Sequence, residues 1–173
     1  MKRSLFFKHI SDYPDDRETG WSEELQGVTH DDMHWFITQK NRVWKIPVGV
    51  DLNGTINEAD PDRGILTAPI PAALSEDYDH LGDLDYYQGF LFVGVEGGNR
   101  TALVACFNAA TLDYIDNAPL PQQGNHAPWC AVNPSDGLLY SSPFDNVTTL
   151  FAYKFSIVFE RLNLSLHNTV NLK

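Results

Sequence analysis

Three stretches of this 173-residue chain read alike, and self-similarity at a period near 50 residues restricts the fold to units that stack on one another. The first stretch is Leu25-Gln-Gly-Val-Thr-His-Asp-Asp-Met-His-Trp-Phe-Ile-Thr-Gln, followed by Arg42-Val-Trp-Lys-Ile-Pro. The second is His80-Leu-Gly-Asp-Leu-Asp-Tyr-Tyr-Gln-Gly-Phe-Leu-Phe-Val-Gly, followed by Ala102-Leu-Val-Ala-Cys-Phe-Asn. The third is Pro128-Trp-Cys-Ala-Val-Asn-Pro-Ser-Asp-Gly-Leu-Leu-Tyr-Ser-Ser, followed by Thr149-Leu-Phe-Ala-Tyr-Lys-Phe. Gly27, Gly82 and Cys130 take equivalent places in this alignment, 55 and 48 residues apart. Each copy reads strand, turn, aromatic strand, turn, aliphatic strand, and a fourth strand is expected after the second and third copies.

Short runs rich in Val, Ile, Phe, Tyr, Trp and Thr predict strands near His34–Thr38, Val43–Val48, Leu84–Tyr87, Phe90–Val95, Ala102–Asn108, Trp129–Val132, Leu138–Ser141 and Leu150–Phe155. Weaker runs are Gln26–Thr29, Leu112–Ile115 and Leu162–Leu166. Gly89, Gly97-Gly98 and Asn133-Pro-Ser-Asp-Gly137 supply turns. Ala72–Tyr78 is expected to form one short helix, and Asp51–Pro71 a long Pro/Gly/Asp-rich connection.

The pattern resembles the blades of a β-propeller, each a four-stranded antiparallel sheet. Asn133-Pro-Ser-Asp-Gly-Leu-Leu-Tyr140 and Gly89-Phe-Leu-Phe-Val-Gly94 are similar to the second-strand openings of NHL, gluconolactonase-like and YncE-like propellers. The expected fold is therefore all-β, with about three blades at residues 25–72, 73–122 and 123–173 after a polar N-terminal segment, 1–24. Three blades do not close a ring, since propellers typically have four to eight. The chain is part of a longer propeller, or residues 1–24 supply a partial blade, or the three units form a β-sandwich. The alternation that persists through Arg161–Lys173 favours an incomplete propeller. Its open edges would promote assembly with another copy.

The formal charge is −11, and it is unevenly placed. Residues 46–153 hold fourteen acids against only Arg63 and Arg100. This balance argues against nucleic acid and anionic membrane as partners and favours cations. No apolar run approaches the roughly 20 residues of a membrane helix, and Leu5–Phe7 before Lys8 is too short for a signal-peptide core. Cys106 and Cys130 sit in apolar contexts and read as small buried hydrophobes.

The densest polar constellation is Asp77-Tyr-Asp79-His80-Leu-Gly-Asp83-Leu-Asp85. Carboxylates are the hard oxygen ligands that calcium prefers; the same groups also cap strands and turns. The resemblance to gluconolactonase-like and paraoxonase-like propellers implies a calcium in the central channel. Asp83 and His80 are then its best-placed ligands, with Asp79 and Glu24 beside them. His80, His126 and His30 are the candidate bases, because imidazole titrates near neutrality. Trp129 is a candidate platform for stacking on a ligand ring or sugar. There is no Gly-x-Ser-x-Gly elbow, no CxxC pair and no HExxH.

Two functions from different classes fit. The favoured one is a noncatalytic binding or interaction module that presents loops on a rigid scaffold, with Asp51–Pro71 and Asn117–Ala127 as its contact loops. Its partner is a protein or small molecule. The other is a calcium-dependent hydrolase of lactonase or esterase type, in which the metal polarises a carbonyl and a histidine relays a proton.

Overall fold

The computed structural model describes residues 8–9, 20–145 and 147–172; most of the N-terminal polar segment, with the N-terminal Leu5–Phe7 run, lies outside the described residues. Twelve strands form three four-stranded antiparallel sheets. The first holds β1 (Leu25–His30), β2 (His34–Gln39), β3 (Arg42–Pro47) and β4 (Leu66–Pro69). The second holds β5 (His80–Tyr87), β6 (Phe90–Gly97), β7 (Arg100–Asn108) and β8 (Tyr114–Pro119). The third holds β9 (Cys130–Asn133), β10 (Leu138–Ser141), β11 (Thr149–Val158) and β12 (Arg161–Asn171). In each sheet the strands lie in chain order, so the expected meander is present three times. These are three blades of an unclosed β-propeller, all-β among the described residues.

The turns form where local chemistry permits them. Gln88 and Gly89 both take positive φ between Tyr87 and Phe90, the backbone of a two-residue hairpin whose twist matches its strands. Between β9 and β10, Asn133 Oδ1 accepts from Ser135 N and Gly137 adopts φ 68°. In the β1–β2 turn, Asp31 Oδ1 accepts from Met33 N (2.7 Å) and His34 N (2.6 Å).

Blades stack face against face. One core lies between blades 1 and 2 and contains Phe36, Val43, Leu81, Leu84, Leu91, Val93 and Phe107. A second lies between blades 2 and 3 and contains Phe92, Val104, Cys106, Cys130, Val132, Leu139 and Tyr153. Phe36 stacks on Tyr86 across the first seam (centroids 5.7 Å apart), and Phe92 meets Phe155 edge-on across the second (4.9 Å). A third core covers the outer face of blade 1, where Trp21, Ile56 and Ile65 sit on Ile37, Trp44 and Ile46. Both cysteines are free and buried; burial pushes the Cys106 thiol up to about 12 and raises that of Cys130.

Three expectations need correction. Residues 72–77 form consecutive turns, with Ser75 N and Tyr78 N bonding back four residues to Pro71 and Leu74, and they are not a helix. The segment is too short to nucleate one, and it serves to plug Leu74 into the first seam. The long connection contains an unforeseen edge strand, β4, short and ending in proline, a position where the missing N–H costs no ladder bond. The last correction concerns Cys130. The registers Gly27↔Thr38 and Ala131↔Tyr140 show that Ala131, not Cys130, is the counterpart of Gly27. Strands β1 and β5 each carry a bulge in their inner pairing, which inserts a residue, and β9 carries none.

Candidate functional site

The first strands of successive blades, β1, β5 and β9, lie side by side along the inner edge of the arc. The approach is close enough to exclude side chains. A Cβ on Gly82 would sit 2.5 Å from the Pro128 carbonyl oxygen, and one on Gly94 2.3 Å from that of Ala127. Thr38 Oγ1 donates to Gly82 O (2.8 Å), and Asp83 N donates to Pro128 O (2.8 Å).

The aspartates of β5 are committed to these seams. Asp85 Oδ2 accepts from Val132 N of β9 (2.7 Å), while its Oδ1 accepts from Thr29 Oγ1 of β1 (3.2 Å). Asp83 leans against Gly27 and accepts from the Leu84 and Val28 backbone. Burial first, and the neighbouring Asp85 charge, raise its pKa against the lowering by the Leu84 and Val28 hydrogen bonds. The polar run at the start of β5 therefore acts chiefly by supplying acceptors to backbone N–H groups that the inner edges leave unpaired.

Where β5 begins, four side chains meet. His80 Nε2 donates to Gln26 Oε1 (3.0 Å), and its Nδ1 lies 4.0 Å from Glu96 Oε2. His126 Nδ1 donates to Glu96 Oε1 (3.3 Å). The carboxylate thus bridges two imidazoles from blades 2 and 3 and is the least exposed of the three, at 14%. Nearby, Asn125 Nδ2 donates to Gly98 O (2.5 Å). Trp129 is half-buried, and its indole donates to Ser142 Oγ (2.9 Å).

The structure brings His80 and His126 together through Glu96. His30 lies at the opposite end of β1, against Trp35 (5.4 Å between centroids), with Nδ1 bonded to Asp31 O. Asp79 is exposed in the loop before β5, and Glu24 is exposed at a positive φ before β1. Asp83, His80, Asp79 and Glu24 do not gather: among the described residues no three His, Cys, Asp or Glu side chains form a group that could hold a metal ion. Asp83 is drawn away by the β1 seam, and the other two carboxylates lie on separate loops. Sequence reasoning missed Glu96, which sits in what reads only as a glycine-rich turn. Counting back across the Gln88-Gly89 turn sets Gly97 opposite His80; the bulge between Leu81 and Leu84 shifts the register by one and brings Glu96 there instead.

An apolar cleft of about 380 Å³ opens on the outer face of blade 1, lined by Trp21, Leu25, Val28, Trp35, Ile37 and Leu52. No helix among the described residues is long and apolar enough to cross a membrane. No protein-family model and no curated protein matches the chain.

Proposed function

We propose that the chain is a noncatalytic binding or interaction module, a rigid three-blade scaffold whose loops make the contacts. The observation that carries this reading is the engagement of Asp83, Asp85, Thr29 and Thr38 in inter-blade hydrogen bonds. The polar groups nearest the arc's inner edge hold the scaffold together, and the exposed chemistry lies on the loops. The long loop after β3 carries four acids, of which Asp51, Glu58 and Asp62 are exposed. A partner with a basic segment suits it, because opposite charge steers encounter and sets register.

The test uses a fluorescent oligolysine peptide against the whole chain. Binding that weakens with salt, as screening demands, and is lost in the triple variant Asp51→Asn, Glu58→Gln, Asp62→Asn supports the reading. The equally neutralised control Glu76→Gln, Asp77→Asn, Asp79→Asn must keep it. Calcium-dependent hydrolysis is the competing outcome. Saturable turnover of an aryl ester or lactone that Glu96→Gln abolishes, or a calcium-induced rise in Tm that Asp83→Ala removes, would overturn the binding reading.

A further inference from the structure

The two outer faces of the arc carry, at matching register positions, residues of an interface that the chain already makes twice; on blade 1 only the β1 part of that face is open, since Ile37, Trp44 and Ile46 are sealed beneath Trp21, Ile56 and Ile65. Corresponding residues follow from strand register. On the face each blade presents forward, Thr29↔Phe36↔Lys45 in blade 1 corresponds to Asp85↔Phe92↔Cys106 in blade 2. In blade 3 the same positions hold Asn133↔Leu138, with Lys154 next across the sheet, beside the Leu139↔Tyr153 pair. Phe36 and Phe92 are both 0% exposed against the following blade, whereas Leu138 has no blade in front of it among the described residues and is only half-buried. Lys45 crosses its seam to donate to Ala110 O (2.6 Å), and Lys154 stands exposed at the same place.

The backward faces repeat the relation. Val28↔Ile37 in blade 1 corresponds to Leu84↔Val93 in blade 2 and Val132↔Leu139 in blade 3. Leu84 is 3% and Val132 7% exposed, each covered by the preceding blade; Val28 is 60% exposed. Trp21 and Leu52 roof part of this face and stop short of β1, leaving the cleft beside Leu25 and Val28.

We infer that two copies of this chain join head to tail, the forward face of blade 3 in one copy packing on the open β1 part of the backward face of blade 1 in the other, beside Leu25 and Val28, at both ends of the arc. Three blades from each copy make a six-bladed ring, inside the typical range of four to eight. The contact is heterologous and closes under a two-fold axis. It continues the stacking seen within the chain, and it does not depend on the binding reading above.

Sedimentation velocity across micromolar concentrations tests it. The expected species has twice the 19.5 kDa chain mass. Val28→Asp on the backward face and Tyr140→Arg, two residues along β10 from Leu138 on the forward face, each weaken association by about tenfold or more, since each places a charge in the contact. Circular dichroism and the unfolding midpoint confirm that each variant is folded; Leu25→Asp and Lys154→Glu replace any that is not. Mixing the two variants restores a dimer, because one of the two contacts is then wild type on both sides. A monomer throughout overturns the inference. Open polymers that grow with concentration overturn it too, as does a dimer that Tyr140→Arg leaves intact.

Discussion

Phe36 and Leu138 occupy the same register position on two blades, yet one is sealed and the other half-open. The same holds for Lys45 and Lys154, and for Leu84 and Val28. The seams inside the arc and the faces at its ends thus share a pattern and differ in what lies opposite. Burial here is a property of the neighbouring blade, since a sheet face gains hydrophobic stabilisation only when a second layer removes it from water. The inner-edge polar groups follow the same logic: Asp85 accepts the Val132 N–H because β9 is there to offer it. Its blade 3 counterpart, Asn133, turns to its own loop and accepts from Ser135 N.

Substitutions at paired positions sharpen this contrast. The largest effect is expected at Phe36, where truncation to Ala should cost about 3–5 kcal/mol. Leu138→Ala should cost under about 1 kcal/mol in the monomeric chain, its side chain being already part-solvated. Urea unfolding checks both, and equal costs would break the comparison. Next is the inner edge. Asp85→Ala leaves the Val132 N–H without its acceptor and should cost about 1–3 kcal/mol.

A glycine pair probes the same difference. Gly94→Ala forces a Cβ onto the Ala127 carbonyl and should cost about 1–3 kcal/mol by overpacking. Gly49→Ala, with nothing within 4 Å of its Cβ position, should be neutral or stabilise by up to about 1 kcal/mol. Thermal unfolding of the two variants side by side reads the difference.

The smallest effects are in the pH dependence, and they carry opposite signs. Burial raises the Asp83 pKa at the seam. Below its unfolded value the group is protonated in both states and burial costs little. As pH rises through the raised folded value the carboxyl must ionise in place, and stability falls. Asp83→Asn should flatten that decline. Asp31, in an open turn, is opposed by burial but lowered overall by hydrogen bonds from Met33, His34 and the His34 ring. Its contribution is present above the unfolded value and is lost as pH falls through the folded one. Stability measured between pH 3 and 7, for wild type and Asp31→Asn, separates the two groups.

Much of the architecture was legible because strand and turn chemistry are local. Leu138–Ser141 falls on the expected residues, and Asn133-Pro-Ser-Asp-Gly137 forms the expected turn. The eighth strand was misplaced, Leu112–Ile115 against the observed Tyr114–Pro119, because Leu112 takes a positive φ in the preceding turn. The candidate site was less legible. The sequence pointed to His80 and His126 as residues that could share one place, and Glu96 joins them, but nothing local marks a carboxylate in a glycine-rich turn as the bridge. The acidic run at β5 reads as ligands, yet Asp85 is held by the Thr29 hydroxyl of blade 1 and the Val132 N–H of blade 3, donors from two other blades that no local pattern announces.

The amino-acid sequence by itself determined the repeated blade, its strand alternation and its turns, because side-chain period and turn geometry are set within a few residues. Only the tertiary structure decided which carboxylates hold seams, which histidines meet and which identical register positions are buried. Those outcomes depend on partners some 16 to 65 residues away in the chain, from His80 and Glu96 to Lys45 and Ala110, and the pairing of distant surfaces is fixed by packing rather than by local chemistry.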